Sequence, residues 1–336
     1  MEKLKGKYLR PGRKITDQFI LAAAITVLII SVSQTFFPTE WAVGPFEALL
    51  GGDHDAAMFL NFYFIFISLW IYFILVVCLF KVNRPMLKAA KYCSPTIKNG
   101  ADGAVSGNGN RAGNNFTGLL IGLVLGFGCN AFCILISCLM GNIRLEYSGF
   151  KPVPFIAFFI CVFIQSAGEE IVDRWYLYQK LRRRYKAPWI AVLLNSLFFA
   201  GLHIFNPGMG VLPIVQLLVV GVLFSLFVYY YNGLWIACAF HTAWNFTQSI
   251  LFGLPNSGVV SAYSVFRLDA ASATDGLFYS VDFGVEGSIG AVVILAAVLA
   301  LIMWINHGKG EHTDVWAEND RVALEKAAAL QNVSEQ

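Results

Sequence analysis

Carboxylates, imidazoles and amides recur at helical spacing inside stretches that are otherwise apolar. Glu169, Glu170, Asp173 and Arg174 stand together in GEEIVDRW, Asn195, Phe199 and His203 in NSLFFAGLH, and His241, Trp244 and Asn245 in AFHTAWNF. A carboxylate facing imidazoles can activate a water for hydrolysis, ligate a metal or pass protons. Charge inside an apolar span is costly and points to a functional group facing the interior of a bundle. Residues four apart share a helix face, so Glu170 can pair with Arg174, Phe199 lies beneath His203, and His241 lies beside Asn245. A lone intramembrane His or Asn usually bonds a neighbouring helix, and Glu170 with Arg174 by itself reads as a structural ion pair. Asp173 reads as a solvated or capping residue at the cytoplasmic edge. Glu169, His203, His241 and Asn245 are different as a set. Each falls near the middle of its apolar run, so three helices can deliver them to one cavity at similar depth.

The elements that must position these residues follow from composition. The chain has 336 residues, 57% hydrophobic and 13% charged, with a mean hydropathy of +0.63. Soluble domains carry about a quarter charged residues. Disorder, a coiled coil and a nucleic-acid binder resting on a basic surface are excluded. Runs long enough to span a bilayer lie at 17–37, 57–80, 116–140, 153–178, 188–207, 210–231, 233–253 and 286–306. The predicted fold is all-α: one polytopic membrane helix bundle of about eight transmembrane helices over 1–336. Its motif core is 150–255, and 308–336 is a cytoplasmic tail with a short helix over 314–331. The first run is longer than a signal-peptide core and lacks an A-x-A-like site, so it reads as a span. Of 24 Lys and Arg, 20 fall in 1–14, 81–115, 179–187 and the tail. The positive-inside rule then puts both termini in the cytoplasm, as an even number of spans requires. Residues 99–115, rich in Gly and Asn, read as flexible, and 254–285 as an external loop. Gly118, Gly122 and Gly126 repeat every fourth residue, which allows close helix packing. The seven Cys show no zinc or disulfide spacing and read as small hydrophobes.

Glu169-Glu170-x-x-x-Arg174, Phe199-x-x-x-His203 and His241-x-x-x-Asn245 together resemble the three motifs of the CPBP intramembrane proteases. This is the CAAX protease and bacteriocin-processing family, also called ABI, which includes the type II CAAX prenyl endopeptidases. Order, spacing and host spans agree, and every motif position is filled, Asn245 being an accepted alternative to Asp. The resemblance covers about residues 150–255.

The resemblance implies an intramembrane endopeptidase acting on a membrane-embedded peptide or lipidated protein. Glu169 and His203 would activate the water, and His241 and Asn245 would donate to the developing oxyanion. Glu170 and Arg174 would support them, and Phe199 would shield the site. Glu169, His203 and His241 would also suit a zinc ion, so water activation with and without metal both stand at this point. Short loops fit a bacterial plasma-membrane member, among whose relatives are peptide- and bacteriocin-processing proteins. Two other readings remain. One is a proton- or cation-coupled transporter, which would show repeats between its halves; none is visible. The other is a non-catalytic bacteriocin immunity or scaffold protein that keeps the motifs for packing.

Overall fold

Apolar runs without Pro or charge become helices because a backbone surrounded by lipid must satisfy its own hydrogen bonds. The computed structural model describes residues 8–93, 113–308 and 314–334. Five helical stretches are long and apolar enough to cross a membrane: Phe19–Phe36 (α1), His54–Leu79, Phe116–Leu139 (α5), Pro152–Arg184 and Val211–Tyr231 (α9). A short helix, α2 (Val43–Leu49), precedes the second stretch, which is made of α3 (His54–Phe64) and α4 (Ile67–Leu79). The fourth consists of α6 (Pro152–Glu170), a wide π-type turn over Ile171–Leu177, and α7 (Tyr178–Arg184). Two shorter apolar helices are α8 (Pro188–Leu202) and α11 (Ile289–Ile305). Helix α10 (Leu234–Phe246) is prolonged by a second π-type turn over Thr247–Leu251. All eight expected runs are therefore helical. Outside them, α12 (Ala317–Ser334) forms the tail helix. Strand β1 (Leu145–Tyr147) pairs antiparallel with β2 (Phe266–Leu268), tying together the loops at one end of the bundle.

Three boundaries differ from expectation. The fourth run continues past residue 178 to Arg184, because the Lys- and Arg-rich stretch stays helical and packs at the bundle end. The second run breaks at residues 65–66 between α3 and α4. The fifth helix ends at Leu202 instead of 207. Tight turns follow from His203, and Pro207 with the left-handed Gly208 (φ 73°) carries the chain away from the helix axis. Much of the Gly/Asn-rich 99–115 stretch, the basic residues Lys3, Lys5, Lys7, Lys98 and Arg111, and part of the tail lie outside the described residues.

The described basic segments meet at one end. Arg183 donates to Asp17 through Nε (2.7 Å) and Nη2 (2.5 Å), and to Asn83 Oδ1 at 3.3 Å. Arg10 donates to Asp320 at 2.8 Å and holds both carboxylate oxygens of Asp314. The amino-terminal segment and the tail helix thus sit on the same face. Burial works against the Asp314 charge, yet hydrogen bonds from Arg10 and the Trp316 N–H, with the Arg10 charge, hold its carboxyl below the ordinary value.

Helix α10 carries two of the motif residues, and what fixes it is its approach to α5. A Cβ at Gly122 would stand 2.8 Å from the Ala239 Cβ, and one at Gly126 would stand 3.0 Å from the Ala243 Cβ; both would also press on carbonyl oxygens of α10. Only glycine permits this approach, so the repeat seen in the sequence is a packing seam. Gly122→Ala and Gly126→Ala should each cost about 1–3 kcal/mol, seen as a lower melting temperature in detergent and a lower folded yield. Gly128→Ala, where nothing lies within 4 Å, should leave both unchanged. Equal melting temperatures for all three variants would contradict the seam.

Candidate active site

Helix α6 starts with Pro152 in its first turn, where the missing N–H costs nothing. It runs apolar until VFIQSAGEE brings four polar side chains into the bundle. Gln165 and Glu169 are one turn apart and share a face. Gln165 Nε2 donates to Glu169 Oε1 at 2.5 Å. The other carboxylate oxygen, Glu169 Oε2, lies 3.8 Å from His203 Nε2 and 3.8 Å from His241 Nε2. It has no hydrogen-bond partner among the described residues.

The tautomers follow from what each Nδ1 faces. His203 follows the last residue of α8, and its Nδ1 lies 2.8 Å from the Phe199 carbonyl oxygen, which can only accept. His241 Nδ1 lies 3.0 Å from Glu170 Oε1, also an acceptor. Each Nδ1 therefore carries the proton, and in the neutral rings each Nε2 presents a lone pair toward Glu169. Three Lewis-basic atoms from α6, α8 and α10 converge on one point. Among the described residues no other imidazole–carboxylate set does so.

Glu170 and Arg174 support this point from behind. Both are fully buried, with Arg174 Nη1 donating to Glu170 Oε1 at 3.2 Å. The Arg174 guanidinium stacks 4.3 Å over the Phe199 ring, which itself packs 4.8 Å from the His203 ring. On the other side, Asn245 Nδ2 donates to Gln165 Oε1 (3.2 Å) and Ser166 Oγ (3.3 Å). The sequence set Glu169, Glu170, Arg174, Phe199, His203, His241 and Asn245 is thus brought together. Asn195 is not. Its amide donates to Ser225 Oγ at 3.2 Å and joins α8 to α9 away from the site.

The site opens into a cavity of about 430 Å³ whose polar wall holds Glu169, Asp173, His203, His241 and Asn245. Its apolar walls come from Ile30 of α1, Phe62 of α3, Leu69 of α4 and Phe199. That volume falls within the range of small-molecule and peptide side-chain pockets.

Asp173 requires correction. It was expected at the aqueous edge, yet it is 1% exposed and lines the cavity, and neither carboxylate oxygen has a hydrogen-bond partner among the described residues. Two causes act together: the helix continues well past it, and the π-type turn rotates it inward. Asp173→Asn keeps the shape and removes a buried acid without a donor, so the melting temperature should hold or rise. A clear fall would contradict a carboxylate without a donor.

Four participants escaped the motif reading. Gln165 and Ser166 were legible as polar residues one turn before Glu169. Asn256 and Glu286 were not, since only tertiary folding carries the 254–285 loop and the start of the last apolar run back over the site. Asn256 Nδ2 donates to Asn245 Oδ1 and to Glu286 Oε1, both at 3.2 Å. Glu286 also accepts from the Trp244 indole N–H (3.1 Å) and the Ser257 N–H (2.7 Å).

A zinc ion would take Glu169, His203 and His241, with the Phe199 carbonyl and Glu170 orienting the imidazoles from outside as such ligands require. The ligand types fit. The spacing is open: bonds of 2.0–2.2 Å in a tetrahedron put ligand atoms about 3.4 Å apart, against 3.8 Å for each nitrogen–oxygen pair. Correspondingly, no group of three His, Cys, Asp or Glu among the described residues is close enough to hold a metal as it stands.

Residues 151–247 match the family described as type II CAAX prenyl endopeptidase Rce1-like. The match spans all three motifs and supports membership of the CPBP, or CAAX protease, family and, at the level of that family, a CAAX-type intramembrane protease. No curated protein and no solved structure matches the chain.

Proposed function

We propose that the protein is an intramembrane endopeptidase that hydrolyses a peptide bond of a membrane-associated peptide or lipidated protein with water activated by Glu169 and His203. The observation that carries this reading is the convergence of Glu169 Oε2 with the Nε2 atoms of His203 and His241, 3.8 Å from each, on the wall of a mostly apolar cavity. A water about 2.8 Å from Glu169 Oε2 and from His203 Nε2, donating one hydrogen to each, fits that spacing.

In the reaction, the water oxygen attacks the scissile carbonyl carbon as Glu169 takes one of its protons. His203 Nε2 accepts the second hydrogen bond and orients the attacking lone pair. The carbonyl oxygen becomes an oxyanion. Asn245 has two amide hydrogens, engaged in long bonds to Gln165 and Ser166, and a charged oxygen competes well for them. His241 is a second donor in the molecules that enter the cycle as the imidazolium, protonated by solvent at Nε2 as well as Nδ1 and balanced by Glu170. Glu169 then returns its proton to the leaving amine, and the C–N bond breaks. Glu170 and Arg174 keep the His241 tautomer, and Phe199 excludes bulk water. A zinc ion at the same atoms would supply Lewis acidity to the carbonyl. The apolar walls from α1, α3 and α4 suit a lipid-modified or hydrophobic segment entering from the bilayer. The basic end of the bundle supports cytoplasmic termini by the positive-inside rule.

Purified protein in vesicles should cleave a palmitoylated, dye-quenched peptide. Glu169→Ala, His203→Ala and His241→Ala should each lower the rate at least about 100-fold, and Asn245→Ala somewhat less. Glu170→Ala and Arg174→Ala should lower both rate and folded yield, since each strands a buried charge. A well-folded Glu169→Ala variant with wild-type rate would overturn the reading.

The open spacing also makes a statement about metal. Activity should survive exhaustive chelation, with no stoichiometric zinc in the purified protein. Zinc near one per chain, whose removal abolishes activity and whose return restores it, would move catalysis to a His₂Glu zinc site.

A further inference from the structure

Glu286 lies outside all three motifs, at the threshold of α11, and is 5% exposed. Its carboxylate accepts from three donors: Trp244 Nε1, Asn256 Nδ2 and the Ser257 N–H. Nothing in the proposed reaction uses it. We infer that Glu286 is a positioning residue: by fixing the Asn256 amide it sets the direction of every hydrogen bond from Asn256 through Asn245 and Gln165 to Glu169.

A side-chain amide has one accepting oxygen and one donating nitrogen, and it can face either way until a neighbour decides. Three donors and no acceptor meet the Glu286 carboxylate, which favours its ionised form; in that form it only accepts, so Asn256 must turn its nitrogen to Glu286 Oε1, at 3.2 Å. The second hydrogen of that nitrogen reaches Asn245 Oδ1, also at 3.2 Å. Asn245 is then obliged to offer its nitrogen to Gln165 Oε1. Gln165 is obliged in turn to offer its own nitrogen to Glu169 Oε1, at 2.5 Å. One oxygen of Glu169 is thereby tied, and Oε2 alone faces the imidazoles.

Glu169 could impose the same direction from the other end, but only while it is ionised. Under the hydrolytic reading, on which this inference rests, Glu169 gains a proton in every turnover and could then donate. Glu286 lies four hydrogen bonds away and exchanges no proton with substrate. It holds the amides in place through the cycle, so that Asn245 keeps its hydrogens, and not its oxygen, toward the oxyanion side.

The test is Glu286→Gln in the full-length protein, which keeps size and shape but can present an amide nitrogen to Asn256. With the palmitoylated peptide, kcat should fall about 10- to 100-fold with KM changed less than about threefold, because the loss lies in the transition state. Independently of any substrate, the side-chain amide signals of ¹⁵N-labelled Gln165, identified by their loss in Gln165→Leu, should shift or split. Asn256→Leu, which cuts the chain but leaves Trp244 and Ser257 on Glu286, should move the same signals and serves if Glu286→Gln folds poorly. Unmoved Gln165 signals in a folded variant overturn the inference whatever the rate does. If wild type fails to cleave the peptide while the signals move, the hydrolytic reading falls and the amide chain stands.

Discussion

Glu170 Oε1 accepts from Arg174 within its own helix and from His241 on α10. That one buried oxygen couples the two halves of the site. A carboxylate with no exposure costs several kcal/mol unless it is paired and hydrogen-bonded, so the helix bearing Glu169 and the helix bearing His241 are held in register by the need to satisfy it. The same bond gives His241 its tautomer and turns Nε2 toward Glu169. Phe199 completes the arrangement, since its ring faces the Arg174 cation on one side and the His203 imidazole on the other.

Close packing elsewhere keeps that pairing in place. α10 is pressed against α5 through glycines that leave no room for a Cβ. A shift of even one methyl group would move His241 and Asn245 relative to α6. The loop after α10 then closes the open side, bringing Asn256 and Glu286 against Asn245. Two layers result: a charged one of Glu170 and Arg174 behind the imidazoles, and an amide one leading to Glu169.

Much of this was legible in the sequence. The eight apolar runs are helices because their composition leaves the backbone no other solution in lipid, and the motif residues meet because four-residue spacing fixes faces. What stayed hidden depends on long-range contacts. The π-type turns over Ile171–Leu177 and Thr247–Leu251 carry no Gly or Pro to announce them, so the burial of Asp173 could not be foreseen. Glu286, at the edge of an apolar run, has the local signature of a boundary residue, and its role depends on a loop of about thirty residues folding back. The stop of α8 at Leu202 was likewise not announced, since Pro207 and Gly208 mark only the turn five residues further on.

In the proposed mechanism water, and no protein side chain, attacks the substrate carbonyl. A single turnover in H₂¹⁸O, with enzyme in excess over the palmitoylated peptide, tests this by mass. Direct attack by water puts one ¹⁸O into the new carboxylate of the product and none into the protein. Label recovered in the Glu169 side chain, with unlabelled product, would mean that Glu169 itself attacked and formed an acyl intermediate, contradicting the mechanism.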